Sequence, residues 1–445
     1  MKYMLIVLFF LQALSVLSSA NEVCEKEKKY SQVWYYNNCD KSITKNGNKN
    51  KETNKVKIYK SWHIPQYVKP DPNLATIKHH FKKEIQLTKD PQIGWNKIKP
   101  SSNHKEFKKQ LETNQFLKDQ MNSSSILSYL YYEKGSLIYD EITPKNRLGK
   151  LYKNNTPWIS NSVGKSIVSY LVGNAICEGK IEGINTKLND WPLIKNTLYY
   201  DQKLIDILNM NAGDKNYVSD SDGMRSTKRW YNVHTIKALA NRELKNSKPI
   251  EYSKRKHYYN GLATNIIINY LVHKTDYKFK DFLIKTFKDK VKNQNIVRSK
   301  KILFVRNDKN RQTKKRTKIK DGISTYTFYA TRYDYLRIAK AMLDDWQKDT
   351  CVGKYLKDLA KNKIPKKRYI YEEQGFRFSS KSYAGQFYLD YLDLEERNIF
   401  GLDGYGGQNI MIDFDESRII VINTVHTNYD FKRLVLDVLK HGRIK

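Results

Sequence analysis

The sequence has little from which a membrane span or a metal centre could be built. Its most apolar run, Met4 to Leu14, is too short to cross a bilayer as a helix. The chain has only four cysteines: Cys24, Cys39, Cys177 and Cys351. No pair of them has the spacing of metal ligands, and His79 and His80 stand without a partner cluster. We therefore expect no transmembrane helix, no metal site and no cofactor.

The first twenty residues have the pattern of a secretory signal peptide. Lys2 supplies the charged start, the apolar run follows, and Ser18-Ser19-Ala20 forms a small-residue cleavage site. Cys24 has no small residues just before it, so we expect no stable membrane anchor. The mature protein is predicted to be exported, either periplasmic or secreted, and there Cys24 and Cys39 could pair. Cys177, within an apolar run, is predicted to be a buried thiol.

Acidic residues are scarce, with 46 Asp and Glu against 81 Lys and Arg. This excess could serve an anionic partner such as a cell-wall polymer, a membrane surface or nucleic acid. It could equally reflect a genome rich in A and T, because Lys, Asn, Ile and Tyr are all abundant. No recognisable nucleic-acid module accompanies the charge, so we expect no nucleic-acid partner. The basic tract 307–320 is interpreted as a solvated loop.

The chain divides into a signal peptide (1–20), a polar leader (21–120) and one domain (121–445). The leader is broken by five prolines and contains a short predicted helix from Lys105 to Asn114. Two hairpins are predicted in the domain, with strands at 125–133 and 136–140, and at 409–414 and 418–425. The middle (158–290) is mostly helical in pattern, and 431–441 is predicted to be a closing helix. These elements predict an α+β fold (an α/β/α sandwich), in which helices and a mostly helical lobe flank an antiparallel sheet built from the domain's N- and C-terminal strands.

One Ser-x-x-Lys sequence, Ser162-Val163-Gly164-Lys165, opens a long apolar run that ends at Cys177. Side chains at i and i+3 share a helix face, so the Lys165 amine can reach the Ser162 hydroxyl. Such a pair can act as nucleophile and base in acyl transfer. A free lysine titrates at about 10.4, so a neutral amine at pH 7 requires about 4–5 kcal/mol of differential stabilisation from burial or a positive field.

The spacing by itself is weak evidence for chemistry. It recurs at three other places: Ser42-Lys45, Ser102-Lys105 and Ser253-Lys256. Ser162 could instead cap a core helix while Lys165 points to solvent. A phosphate-binding loop is not expected, because Ile159 stands where that motif has its first glycine. A Ser-His-Asp hydrolase using His426 is not expected either, because the chain has no Gly-x-Ser-x-Gly elbow.

Two further motifs follow along the chain. Tyr258-Tyr259-Asn260 precedes an apolar helical run, and a phenol there could relay a proton beside Ser162. Gly404-Tyr405-Gly406-Gly407-Gln408 leads into a predicted strand, where glycines permit close approach of a backbone to a ligand. Each has a simpler interpretation: the first as a core tyrosine with a capping asparagine, the second as a tight turn.

In this order the three motifs resemble those of the serine beta-lactamase and penicillin-binding superfamily, in its beta-lactamase-related branch of class C enzymes, esterases and 6-aminohexanoate-dimer hydrolases. The segments 158–181, 204–213 and 330–336 also resemble segments of that family. The resemblance covers about residues 125 to 440 and leaves the leader outside. It implies a serine hydrolase that acts through a covalent acyl-enzyme, without a cofactor.

The resemblance also implies a role for each matching residue. Ser162 would be the acylated nucleophile, with Lys165 and Tyr258 as general bases, and the sequence leaves open which of the two is the principal one. Asn260 would orient the substrate and Lys165. The oxyanion would bind to the N–H of Ser162 and to one from the strand around Gly404 and Tyr405.

The third motif departs from the family pattern. The family usually places a cation there, in Lys-Thr-Gly or a histidine variant, to bind a substrate carboxylate. Here the stretch carries Asp403 instead. An acid would repel penicillins and D-Ala-D-Ala peptides, so an amide or ester hydrolase for a neutral or cationic small molecule or short oligomer is expected. The alternatives are a D,D-peptidase or beta-lactamase, or an inactive member that binds cell-envelope polymers.

Overall fold

The computed structural model describes residues 74–87, 93–104, 106–218, 223–225, 230–232, 246–276, 278–303, 322–366 and 380–445. The predicted signal peptide, the pair Cys24 and Cys39, and the basic tract 307–320 lie outside these ranges. The chain divides into two compact units, residues 1–85 and 86–445. The described part of the first lies in helix α1 (Leu74–Leu87), in which Thr76 and Ile77 are buried. The other described helices and strands belong to the second unit.

The second unit contains both helices and strands. Its helices are α2 (Gln115–Ser123), α3 (Val163–Cys177), α4 (Leu204–Leu208), α5 (Gly261–Lys274), α6 (Phe279–Ile284), α7 (Arg332–Gln347), α8 (Cys351–Lys361) and α9 (Asp437–His441). Its strands are β1 (Ile93–Ile98), β2 (Lys108–Lys109), β3 (Ile126–Glu133), β4 (Ser136–Ile142), β5 (Trp158–Ile159), β6 (Gly223–Arg225), β7 (Trp230–Asn232), β8 (Val297–Leu303), β9 (Gly322–Ala330), β10 (Ile364–Pro365), β11 (Ser380–Ala384), β12 (Phe387–Tyr391), β13 (Ile399–Gly404), β14 (Gln408–Asp413) and β15 (Arg418–Thr424). Short 3₁₀ turns lie at Pro192–Ile194 and Tyr252–Lys254, and π-helical turns lie at Lys285–Lys290 and Lys432–Leu436.

A nine-stranded sheet carries both predicted hairpins. Its order is β10-β11-β12-β13-β14-β15-β3-β4-β2, antiparallel except for the short β2–β4 pair. The last strand of the chain pairs with β3, so that Arg418 lies opposite Glu133. This confirms the predicted α+β fold, with a sheet assembled from the two ends of the domain. The sequence predicted these hairpins because in each one two short strand-like runs are joined by a local turn.

A smaller sheet corrects the predicted start of the domain. Its order is β1-β8-β9-β5, and β1 pairs with β8 from Ile93 opposite Ile302 to Ile98 opposite Val297. Strand β1 therefore belongs to the domain, although the sequence analysis assigned it to the leader. Its partner lies about two hundred residues away along the chain, so no local signal marked it.

The helix predicted from Lys105 to Asn114 is also corrected. The helix in this region is α2, and Asn114 is its N-cap, accepting a hydrogen bond from the backbone N–H of Leu117 at 3.0 Å. Asparagine favours the cap over the helix interior because its side chain replaces a missing backbone acceptor. Leu117 and Met121 of α2 then join the core between the large sheet and the C-terminal helix.

Helix α3 is buried along almost its whole length, as a helix with apolar residues on every side should be. A disulfide joins Cys177 at its C-terminus to Cys351 at the start of α8. The prediction of a buried free thiol at Cys177 was therefore wrong. The pairing could not be predicted from local sequence, because the two cysteines are separated by 174 positions along the chain. Among the described residues, no helix combines the length and apolarity that crossing a bilayer requires.

Candidate active site

The Ser162 hydroxyl and the Lys165 amine meet at the N-terminus of α3. Ser162 is the residue before the first turn, and the Lys165 Nζ donates a hydrogen bond to its Oγ at 2.9 Å. Lys165 is only 1% exposed, so its amine does not lie in bulk water. The spacing prediction is confirmed in its geometry, and the alternative in which Lys165 points to solvent does not hold.

The backbone that leads into Ser162 is held in an unusual conformation. Asn161 has a φ of +46°, a left-handed value that asparagine tolerates better than most residues. Its side-chain amide donates to the Tyr405 carbonyl at 2.8 Å. Ser160 is buried, and its backbone N–H donates to the Phe328 carbonyl at 2.8 Å, while its Oγ accepts from the Phe328 N–H at 2.9 Å. These bonds hold the backbone that leads into Ser162.

Two glycines allow three elements to meet at this point. A Cβ on Gly164 would overlap the carbonyl oxygen of Tyr326, so α3 lies directly against β9. A Cβ on Gly404 would stand 2.8 Å from the Ser160 carbonyl oxygen, so the end of β13 lies against the turn before Ser162. Gly404 and Tyr405 thus lie beside the candidate nucleophile. A backbone donor from them to a bound oxyanion stays a prediction.

The Lys165 ammonium is covered by aromatic rings from two elements. Its Nζ lies 3.9 Å from the ring centroid of Tyr326 on β9. It lies 4.9 Å from the ring centroid of Tyr259, in the segment before α5. Neither residue was predicted from the sequence as part of the site. Tyr259 could have been suspected only as the middle residue of Tyr-x-Asn, and Tyr326 carries no sequence signal.

The Tyr-x-Asn segment is anchored by Asn260. This residue is fully buried and caps α5: its Oδ1 accepts from the Ala263 N–H at 2.9 Å. Its amide nitrogen donates to Asp214 at 3.2 Å and to the Tyr258 carbonyl at 3.0 Å. The Tyr258 N–H in turn donates to the Met210 carbonyl at 2.8 Å, and its side chain is half-buried. Asn260 therefore shapes the turn that carries Tyr258, and its contact with substrate stays a prediction.

Asp214 supports this turn from below. Its Oδ2 accepts hydrogen bonds from the Tyr199 hydroxyl at 2.7 Å and from Asn260. Burial raises the pKa of the Asp214 carboxyl to about 6, although both hydrogen bonds oppose the shift. A carboxyl with that pKa changes charge in the weakly acidic range. No sequence motif had marked this residue.

Asp403, the acid of the third motif, lies among tyrosines. It is 5% exposed on β13. Burial raises the pKa of Tyr383 and Tyr391 well above the usual value, and the nearby Asp403 carboxylate adds to both shifts. The Asp403 carboxyl is therefore buried beside Tyr383 and Tyr391 and does not lie on an open surface.

The histidines give no support for a Ser-His-Asp arrangement. His257 is buried with its ring centroid 4.6 Å from that of Tyr383. Burial, with a smaller contribution from the charge of Lys366, lowers the pKa of His257 to about 3, so it is neutral. His426 is buried after β15, where its backbone N–H donates to the Thr424 hydroxyl. Within the described part of the chain, no group of His, Cys, Asp and Glu side chains could hold a metal ion.

Comparison with solved structures identifies the fold. No family model and no curated protein sequence matches the chain. A structure from Bacillus anthracis, provisionally assigned as a 6-aminohexanoate-dimer hydrolase, aligns with a TM-score of 0.57 at 14% identity, covering 83% of this chain and 96% of that one. A structure from Bacteroides dorei, provisionally assigned as a beta-lactamase, aligns with a TM-score of 0.50 at 11% identity, covering 70% of this chain and 89% of that one. The chain shares the fold of these two structures, and this is the fold that the resemblance of its motifs implied.

Proposed function

We propose that this protein is an exported serine hydrolase that cleaves an amide or ester through an acyl-enzyme on Ser162. The contact between the Lys165 Nζ and the Ser162 Oγ, 2.9 Å long and shielded from water, carries this proposal. The three motifs occur in the family order on the family fold, and this also supports it. A helix N-terminus adds a positive field that favours a neutral amine and an anionic oxygen.

In the acylation step, the Ser162 Oγ attacks the substrate carbonyl carbon and gives its proton to Lys165 or Tyr258. The carbonyl π electrons move to the oxygen, which the N–H of Ser162 and one near Tyr405 would stabilise. When the intermediate collapses, the bond to the leaving amine or alcohol breaks. The leaving group takes a proton from Tyr258 or Lys165, and Ser162 is left as an ester.

In the deacylation step, water replaces the leaving group. The same bases would take a proton from the water as it attacks the ester carbon. The Ser162 Oγ then leaves with a proton, and the acid product is released. Because Asn260 and Asp214 fix the turn that carries Tyr258, they would act as positioning residues for this base.

The substrate proposed is a neutral or cationic amide or ester, as a small molecule or a short oligomer. The third motif carries Asp403 where the family presents a cation, and its field disfavours a substrate carboxylate. Export is proposed from the pattern of residues 1–20. The Cys177–Cys351 disulfide supports it, because disulfides persist in oxidising compartments.

The test uses the mature protein with a serine-reactive phosphonate and a panel of chromogenic short-chain esters. We expect one phosphonate adduct, located on Ser162 by mass spectrometry, and ester turnover that is lost in Ser162→Ala. Ser253→Ala is the matched control, because Ser253 has the same spacing to a lysine and is exposed. Labelling or turnover that survives Ser162→Ala would contradict the proposal.

A further inference from the structure

We propose that Tyr259 and Tyr326 are positioning residues that clamp the Lys165 ammonium against the Ser162 hydroxyl. We call these two residues the aromatic clamp. The proposal deepens the hydrolase function argued above and rests on it for its catalytic meaning. It assigns a role to the middle residue of Tyr-x-Asn and to a strand that no motif covers.

The geometry of the clamp is that of a cation–π contact from two elements. Both ring centroids lie within the roughly 6 Å at which the face of an aromatic ring attracts a cation. Tyr326 comes from β9 and Tyr259 from the segment before α5, and both elements pack against α3. The rings and the Ser162 hydroxyl therefore converge on one nitrogen.

The backbone of Tyr326 fixes the clamp in place. Its carbonyl oxygen occupies the space that a side chain on residue 164 would need, so β9 and the first turn of α3 are in contact at Gly164. The same residue thus meets α3 twice, through its carbonyl at Gly164 and through its ring at Lys165. The Tyr259 ring also packs against two other rings, with the centroids of Tyr383 and Tyr388 at 6.3 and 6.4 Å.

A clamp is needed because Lys165 is long and buried. A lysine side chain loses rotamer entropy when it is fixed, and its charge loses hydration. The two rings offset part of that loss for the cation and offer less to the neutral amine. They thereby hold the amine beside Ser162 and favour its protonated form. Lys165 takes up this form when it accepts the Ser162 proton during acylation, and from this form it can give a proton to the leaving group or back to the Ser162 Oγ.

Three other titratable groups on the elements packed against α3 have described interactions of their own. Tyr355 on α8 is hydrogen-bonded to Ser169, one turn further along α3. Asp403 on β13 exerts its field on Tyr383 and Tyr391. Tyr329, also on β9, packs its ring edge-on against Trp95 at 5.2 Å. Among the ring contacts described, those on the Lys165 ammonium come from Tyr259 and Tyr326.

The test compares loss of the ring with loss of the hydroxyl. The variants are Tyr326→Leu and Tyr259→Leu, which remove a ring, and Tyr326→Phe and Tyr259→Phe, which keep it. Tyr329→Leu is the control, since it removes a buried ring of the same size from β9. In each protein, labelled with ¹⁵N-lysine, the Lys165 ammonium signal, assigned by its absence in Lys165→Met, is titrated with pH by NMR.

We expect each leucine variant to lower the Lys165 pKa by about one unit, whereas each phenylalanine variant and the control stay near the wild type. The acid limb of the pH–rate profile should move with it. An unchanged Lys165 pKa in both leucine variants, or an equal decrease in the phenylalanine variants, overturns the clamp. Because the titration needs no turnover, a failure of the hydrolase proposal would appear separately, as missing phosphonate labelling of the wild-type protein.

Discussion

Two segments of this protein carry the same Ser-x-x-Lys spacing in opposite surroundings. Ser162 and Lys165 open a buried helix, and the lysine is 1% exposed. Ser253 lies in the 3₁₀ turn Tyr252–Lys254, and Lys256 follows that turn. Both residues are exposed. The Ser253 hydroxyl there donates to the Glu251 carboxylate at 3.0 Å. Spacing therefore permits a serine–lysine pair, but burial and packing decide whether one forms.

The difference has a direct chemical meaning. An exposed lysine keeps a pKa of about 10.4 and is almost wholly protonated at neutral pH. A lysine shielded from water, at a helix N-terminus and between rings, has its protonation set by the protein. The first segment can be tuned as a base and a proton donor, and the second cannot.

The largest expected effect comes from removing each lysine in turn. Lys165→Met should lower kcat/KM for the best ester of the panel by about 10³- to 10⁴-fold, because it removes the group that exchanges a proton with Ser162. Lys256→Met should leave kcat/KM within about twofold of the wild type. The measurement is steady-state kinetics together with the rate of phosphonate labelling. Equal losses in the two variants would remove the distinction between the segments.

A smaller effect is expected from the packing that places the first segment. Gly164→Ala should lower the free energy of unfolding by about 3 kcal/mol or more, because the new methyl group overlaps the Tyr326 carbonyl and α3 must move. Gly183→Ala is the matched control, since a Cβ there meets no atom within 4 Å. Denaturant unfolding of both variants measures the difference. A Gly164→Ala variant as stable as the control would contradict the close approach of α3 and β9.

The sequence predicted those parts of the fold and site that depend on local patterns. Strand-like runs joined by turn residues predicted both hairpins, and both are present. The apolar run after Ser162 predicted a helix, and the i to i+3 spacing predicted the Ser162–Lys165 contact; both are present as well. The parts it did not predict join distant segments. Three such contacts join residues more than 150 positions apart. They are the pairing of β1 with β8, the Cys177–Cys351 disulfide and the contact of the Tyr326 ring with Lys165.

Asp214 shows the same limit within the site. It lies 46 residues before Asn260, and neither its burial nor its bond to Asn260 can be read from its surroundings in the sequence. Asp214 supports the buried Asn260, which follows the exposed Ser253 and Lys256 a few residues later in the chain. A substitution of Asp214 therefore tests whether the turn at Tyr258 and Asn260 depends on a residue that is distant in the sequence.

The smallest expected effect concerns Asp214 and pH. The unfolded carboxyl ionises near 3.8, whereas burial keeps the folded carboxyl protonated until about pH 6. Between these values the folded state binds more protons than the unfolded state, so the free energy of unfolding falls as pH rises, by about 3 kcal/mol at most, and levels off above pH 6. Asp214→Asn keeps an oxygen that can accept from Tyr199 and Asn260 but carries no charge, so it should lack this decrease. Denaturant unfolding of the wild-type protein and of Asp214→Asn at pH 4, 5, 6 and 7 measures the difference; parallel stability curves would show that Asp214 does not titrate in this range. We assign this decrease in the free energy of unfolding to Asp214, which supports the turn that carries Tyr258. The exposed Ser253–Lys256 segment should not contribute to it. Lys256→Met should therefore show the same dependence of stability on pH as the wild-type protein.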